Sequence, residues 1–217
     1  ETPEAVAAEA VRNLELALAE LREARNSRAL LPAIGLAVAL ASGAAAAPGD
    51  VVRPGIAVSG DDLPLTAEAF APYGQVLQGT GPVTERKEFA SRMQNGRPHA
   101  KPNMTYMKVL PANGRVLVRA VERHPFSNQT FVPLNGTRHL VAVCPSAPDG
   151  SPMIERLEVF VASGSQAVNY DANVWHAPRT ALSAPGEFVM FRWDDGGALD
   201  TELMALATPV AVELPER

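Results

Sequence analysis

The stretch Glu122-Arg123-His124-Pro125-Phe126-Ser127-Asn128-Gln129-Thr130-Phe131-Val132-Pro133-Leu134-Asn135-Gly136 decides how this chain is read. It places an acid, an imidazole and an amide at 122, 124 and 129, and a glycine at 136. Residues two apart on a β-strand point to one face, so Glu122 and His124 share a face. A second imidazole, His176, stands in Asn173-Val174-Trp175-His176-Ala177-Pro178. Three or four such groups converging inside an apolar β-barrel make a site rather than a core. Imidazole suits nickel, zinc, iron or copper, and a carboxylate adds charge neutralisation. Glu122, His124, Gln129 and His176 are therefore a candidate ligand set for a divalent metal. The competing reading pairs Glu122 and His124 with Arg123 or other charges on a solvated strand face.

Outward from this stretch, strand signals dominate. Alternating or β-branched runs occupy 104–110, 115–122, 129–134, 138–144, 156–162, 165–170 and 187–193. Asn113-Gly114, Asn135-Gly136, Asp149-Gly150 and Pro185-Gly186 punctuate them. Short strands at this spacing predict a sandwich or barrel. A short helix is predicted over 65–74, with Thr66 as N-cap and Pro72-Tyr73-Gly74 as its stop. Residues 201–206 are read as a short terminal helix and 50–62 as a linker rich in Gly, Pro and Asp. The expected class is mainly all-β, a barrel or jelly roll with a few short helices and an N-terminal helical extension.

The chain divides into 1–56, an extension and linker, and 57–217, the β domain. Within the extension, residues 1–27 carry apolar positions at helical period with Glu and Arg on the other face. Residues 29–47 run without a charge and are rich in alanine. Three readings of that run stay open: a packed extension, a signal or membrane anchor, and the remnant of a fused domain. A cytoplasmic location is expected, with export or anchoring through 29–47 as the alternative. Residues 57–217 are not expected at a membrane.

Composition narrows the function classes. Hydrophobic residues make up 47% and charged residues 20%, and the formal net charge is −5. Nothing favours a nucleic-acid partner electrostatically. The single cysteine, Cys144, permits no intrachain disulfide and sits in an apolar run as a small buried residue.

The spacing Glu122-x-His124, Gln129, Gly136 has the shape of the first cupin motif, and His176 is placed for the second. Glu122 stands where that motif usually has histidine, and Gln129 where it usually has glutamate. A closer resemblance follows. Glu122-Arg123-His124-Pro125 with 129–134, and Gly164-Ser165-Gln166-Ala167-Val168-Asn169-Tyr170 with 173–178, resemble the signature of the ureidoglycolate lyase family. So do 65–74 and Asp194-Asp195-Gly196-Gly197, although Asp195 fills a position that relatives often give to arginine. The resemblance covers about residues 60–210.

The resemblance implies a cupin-like barrel that cleaves ureidoglycolate to glyoxylate and urea in allantoin and purine breakdown. It implies a homodimer, a small-molecule substrate, no organic cofactor, and a divalent metal such as nickel. Cleaving this carbinolamide needs a base for the hydroxyl proton, an acid for the departing urea, and a clamp for the carboxylate. Candidate catalytic residues are His124, His176, Glu122, Lys108 and Tyr170. Candidate substrate-binding residues are Lys108, Gln129, Asn173 and Arg192, the last as a substitute cation for the missing arginine. Lys108 also reads as a surface lysine, Tyr170 as a barrel-lining aromatic and Asn173 as a turn residue. Two other classes stay open: a non-catalytic cupin-like binding module, and another metal-dependent cupin enzyme such as an oxygenase or isomerase.

Overall fold

The apolar run 139–144 forms the middle of the molecule because both faces of its strand find apolar partners. In the computed structural model, which describes residues 53–57, 64–79, 81–88, 93–112, 115–182 and 184–213, Leu140, Ala142 and Cys144 join one buried cluster. Val141 and Val143 join another.

Two sheets carry these clusters. The larger runs in the order β1 (Arg53–Ala57), β13 (Glu202–Glu213), β5 (Arg115–Arg123), β10 (Trp175–His176), β7 (Gly136–Cys144), β11 (Thr180–Leu182) and β4 (Pro111–Ala112), with β8 (Glu158–Gly164) also on β7. The smaller runs in the order β2 (Gly74–Leu77), β9 (Ala167–Tyr170), β6 (Gln129–Pro133), β12 (Gly186–Asp194) and β3 (Lys101–Val109). Pairing is mostly antiparallel, and the two sheets face each other across a core of Phe131, Val168 and Tyr170 against Val141, Val143, Phe160 and Ala162. This is the jelly-roll arrangement expected for the β domain.

All seven strands read from the sequence are present with shifted ends. The helix expected at 65–74 is one turn, α1 (Ala67–Phe70), closed at its start by the Thr66 hydroxyl accepting from the Ala69 amide at 3.1 Å. Residues 154–156 form a 3-10 turn before β8 rather than the start of the strand.

Two expectations are corrected. The terminal helix at 201–206 is instead the start of β13, which pairs with β5 from Glu202 opposite Arg123 to Glu213 opposite Arg115. Leucine, methionine and alanine favour a helix locally, but an open edge on β5 and the β-branched run that follows decide the outcome. The linker at 50–62 contains β1, which adds to β13 in parallel. The predicted helix at 1–27 and apolar run at 29–47 lie outside the described residues.

Gly136 carries the chain from β6 in one sheet to β7 in the other with φ at +73°, a conformation glycine adopts without penalty. Opposite it in the β7–β8 pair is Gly164, where an added Cβ would lie 1.8 Å from the Gly136 carbonyl oxygen.

One irregularity matters for the interior. Strands β10 and β11 both pair with β7, and His176 lies opposite Val143 while Thr180 lies opposite Leu140. Four steps on one strand span three on the other, which is a β-bulge at Ala177-Pro178. Proline fits there because it has no N–H to give the ladder.

Cys144 is buried in the cluster on the other face of β7, and burial, helped by the charge of Glu155, pushes its thiol up to about 12. It is no nucleophile at neutral pH. Cys144→Ser is expected to cost about 1–3 kcal/mol, since a hydroxyl would be buried there, and to leave turnover unchanged. Denaturant melts beside steady-state rates check this.

Candidate active site

Register brings the polar groups together. His176 on β10 lies directly opposite Glu122 on β5, and His124 follows one residue past the end of β5. Gln129 opens β6 on the facing sheet, paired with Tyr170 on one side and Arg192 on the other. One ligand atom each from Glu122, His124 and His176 falls within 4.8 Å of the others. Both imidazoles are buried, and the Glu122 side chain keeps 17% of its surface exposed.

The hydrogen bonds decide where the protons are. His124 Nδ1 lies 2.6 Å from the backbone carbonyl of Asp200, and His176 Nδ1 lies 3.0 Å from that of Val174. A carbonyl only accepts, so each Nδ1 carries the proton and each Nε2 presents a lone pair. His124 Nε2 is buried without a partner. His176 Nε2 faces Gln129 Oε1 at 3.0 Å and Glu122 Oε1 at 3.5 Å, while the Gln129 amide nitrogen donates to Met190 Sδ at 3.2 Å. Acceptor atoms thus converge with no donor among them. A proton on His176 Nε2 or a cation satisfies such a set, and carbonyl-oriented imidazoles are the usual setting of metal ligands.

Electrostatics agree with that donor set. Burial raises the affinity of Glu122 for a proton, but the hydrogen bond and charge that His176 brings when its Nε2 is protonated, with His124 and Arg179, outweigh it and hold the carboxyl below its usual range. Burial pushes His124 down, against the opposing pull of Glu122. The cluster therefore offers an ionised carboxylate and a neutral imidazole, the forms that bind a divalent metal.

A polar network behind His124 fixes it. The Asp200 carboxylate accepts from the Phe126 amide and Arg97 Nη2, each at 2.8 Å, and from the Ser127 hydroxyl. Arg97 Nη1 also meets Asp195 at 2.7 Å, so the acid at 195 is neutralised by an arginine far away in sequence. Arg97 and Asp200 were not legible beforehand, because 97 and 200 share no motif or strand.

Tyr170 stacks on His176 with ring centroids 4.2 Å apart and planes 10° from parallel. Its hydroxyl accepts from Arg179 Nη2 at 2.9 Å. Arg192 shares a strand face with Met190, opposite Gln129, and its Nη2 meets Asp194 at 2.7 Å. It is brought to the rim of the cluster.

Two expected residues are not brought in. Lys108 lies on β3 with its side chain 66% exposed and its ammonium 3.2 Å from Glu187. Its neighbour Met107 packs inward, so alternation turns Lys108 outward. Asn173 adopts φ +68° with an exposed side chain, and its N–H donates to the His124 carbonyl at 2.7 Å. It is the turn residue that holds the His124 and His176 segments together. Its side chain lines a cleft of about 350 Å³ with Tyr73, Arg156 and Glu158, which none of the cluster residues lines.

Two face-packed β-sheets closing over two imidazoles, a carboxylate and an amide define a cupin-like protein. The chain belongs to the ureidoglycolate lyase family, whose sequence model matches residues 61–213. It is 38% identical to a family protein of Agrobacterium fabrum, over 70% of this chain and 94% of that one. It is 33% identical to the ureidoglycolate lyase of Schizosaccharomyces pombe, over 68% and 92%. Among solved structures it is similar to the Mn(II)-containing oxalate decarboxylase of Bacillus subtilis at a TM-score of 0.34 and 14% identity, over 62% of this chain and 28% of that one. That last likeness carries no argument about chemistry.

Proposed function

We propose that this protein cleaves ureidoglycolate to glyoxylate and urea, as the names of its relatives indicate for them. The convergence of Glu122, His124, Gln129 and His176 as a donor-free set of lone pairs supports the reading most directly.

Cleavage moves one proton from the carbinol oxygen to the departing urea nitrogen as the C–N bond breaks and the C=O bond forms. Glu122, ionised and facing His176, is suited to take the hydroxyl proton. His176, between Glu122 and Tyr170, is suited to carry it toward the nitrogen, and Tyr170 stacks against it to hold the ring plane. Arg192 at the rim is suited to draw the anionic substrate toward the opening. Glu122, His124, His176 and Gln129 would hold a divalent metal, with nickel the first candidate by family resemblance. Such an ion would supply Lewis acidity to the hydroxyl and carboxylate oxygens. A homodimeric, cytoplasmic enzyme belongs to the same reading.

The neutral Gln129, where the cupin motif usually has an acid, favours a non-catalytic binding module as the rival. Urea release from ureidoglycolate separates the two. Chelation is expected to abolish release, and nickel or another divalent ion to restore it. No turnover with any divalent ion added would sink the lyase reading.

A further inference from the structure

Arg179 is a cation inside the barrel that no sequence motif pointed to. Alternation from His176 would turn residue 179 to the opposite face, but the bulge at Ala177-Pro178 brings both inward. The residue is 4% exposed. Its guanidinium lies 4.2 Å over the Phe131 ring, with Tyr170 and Phe188 at 5.6 and 5.8 Å. Its one hydrogen bond goes from Nη2 to the Tyr170 hydroxyl, and Nε and Nη1 are buried without partners. Among the described residues no carboxylate forms an ion pair with it.

Packing alone does not account for this arrangement. An aromatic ring meets a guanidinium on its face, whereas the N–H donors lie in the plane. Whichever Nη2 hydrogen goes to Tyr170, the other lies on an edge shared with Nε or Nη1. One two-pronged edge therefore stays free, and it matches the two oxygens of a carboxylate. Buried charges are almost always paired, and an anionic ligand would supply the missing pair. Tyr170 links the two places: its hydroxyl accepts from Arg179 and its ring stacks on His176.

We propose that Arg179 is the anion-binding group of the barrel interior and takes the carboxylate of a small organic acid beside the Glu122–His176 cluster. Applied to ureidoglycolate the inference rests on the lyase reading. As a carboxylate subsite it is tested separately.

Glyoxylate is the probe, titrated by calorimetry into the full chain as wild type, R179M and R179K, with circular dichroism melts to verify folding. The wild type is expected to bind it. R179M is expected to lose at least about 30-fold in affinity, and R179K, which keeps the charge but not the fork, to fall between. With ureidoglycolate the loss is expected mainly in KM. If R179M does not fold, R179K decides. Unchanged glyoxylate affinity in a folded variant, or no binding by the wild type, overturns the proposal. Failure of the lyase reading looks different: glyoxylate binding that depends on Arg179, with no urea released from ureidoglycolate.

Discussion

His176→Ala is expected to lower kcat/KM for ureidoglycolate by at least about 10²-fold, the span that one positioned acid–base group supplies. The imidazole is 1% exposed and lies 3.5 Å from Glu122 and 3.0 Å from Gln129, with its ring centroid 4.2 Å from that of Tyr170 and 5.7 Å from that of His124. Its loss leaves Glu122 without the partner that holds its carboxyl ionised. The barrel should persist, because the apolar contacts of Val141, Val143, Phe160 and Val168 across the sheets are untouched. His124→Ala should behave alike, since its bare Nε2 faces the same centre. Steady-state rates beside circular dichroism melts test both. A variant that simply unfolds would make that histidine structural, and one that keeps full turnover would remove it from the chemistry.

The second large effect is on stability, at His139. This side chain is fully buried on β7, edge-on to Phe188 with ring centroids 5.2 Å apart, and neither ring nitrogen has a hydrogen-bond partner. Burial, and then the charge of Arg179, push it down to about 3. The unfolded chain takes a proton on this residue near pH 6.5, whereas the native protein refuses it until about pH 3. Stability is therefore intact above pH 6.5 and lost as pH falls through that window, at roughly 1.4 kcal/mol per unit. From pH 6.5 to 4 the loss is about 3 kcal/mol, a large part of a domain's margin. His139→Leu should flatten the dependence. Urea unfolding midpoints at pH 7 and 4.5 measure it, and equal slopes for wild type and variant would refute the assignment.

No motif partner marks His139 in the sequence, and the structure shows the reason. Its environment is made by Phe188 and Arg179, each at least 40 positions away in sequence. The centre of the site was legible for the opposite reason. Glu122, His124 and Gln129 fall within eight positions, and the two-residue period fixed their faces. The strands were legible wherever alternation met turn residues. Where they were not, at β1 and β13, pairing with a distant edge overrode local preference. Lys108 was misplaced because a strand assignment alone does not say which face is inward; Met107 settled that. Arg97, Asp200 and Arg179 were hidden because long-range pairing and a register slip, rather than spacing, bring them in.

That slip gives the strand a frame, in the sense that a coding sequence has one. Downstream of His176, which residues see the interior is set by the number of residues between 176 and 180 together with the bulge that absorbs the odd one, not by what those residues are. Exchanging Ala177 for another small residue leaves the frame intact. Removing it would leave Arg179 two positions from His176, so plain alternation without the bulge would hold the same faces and the same register to the end of β11. At this point length and bulge compensate each other, a balance that substitution scans would miss and a single deletion would reveal by leaving the interior unchanged.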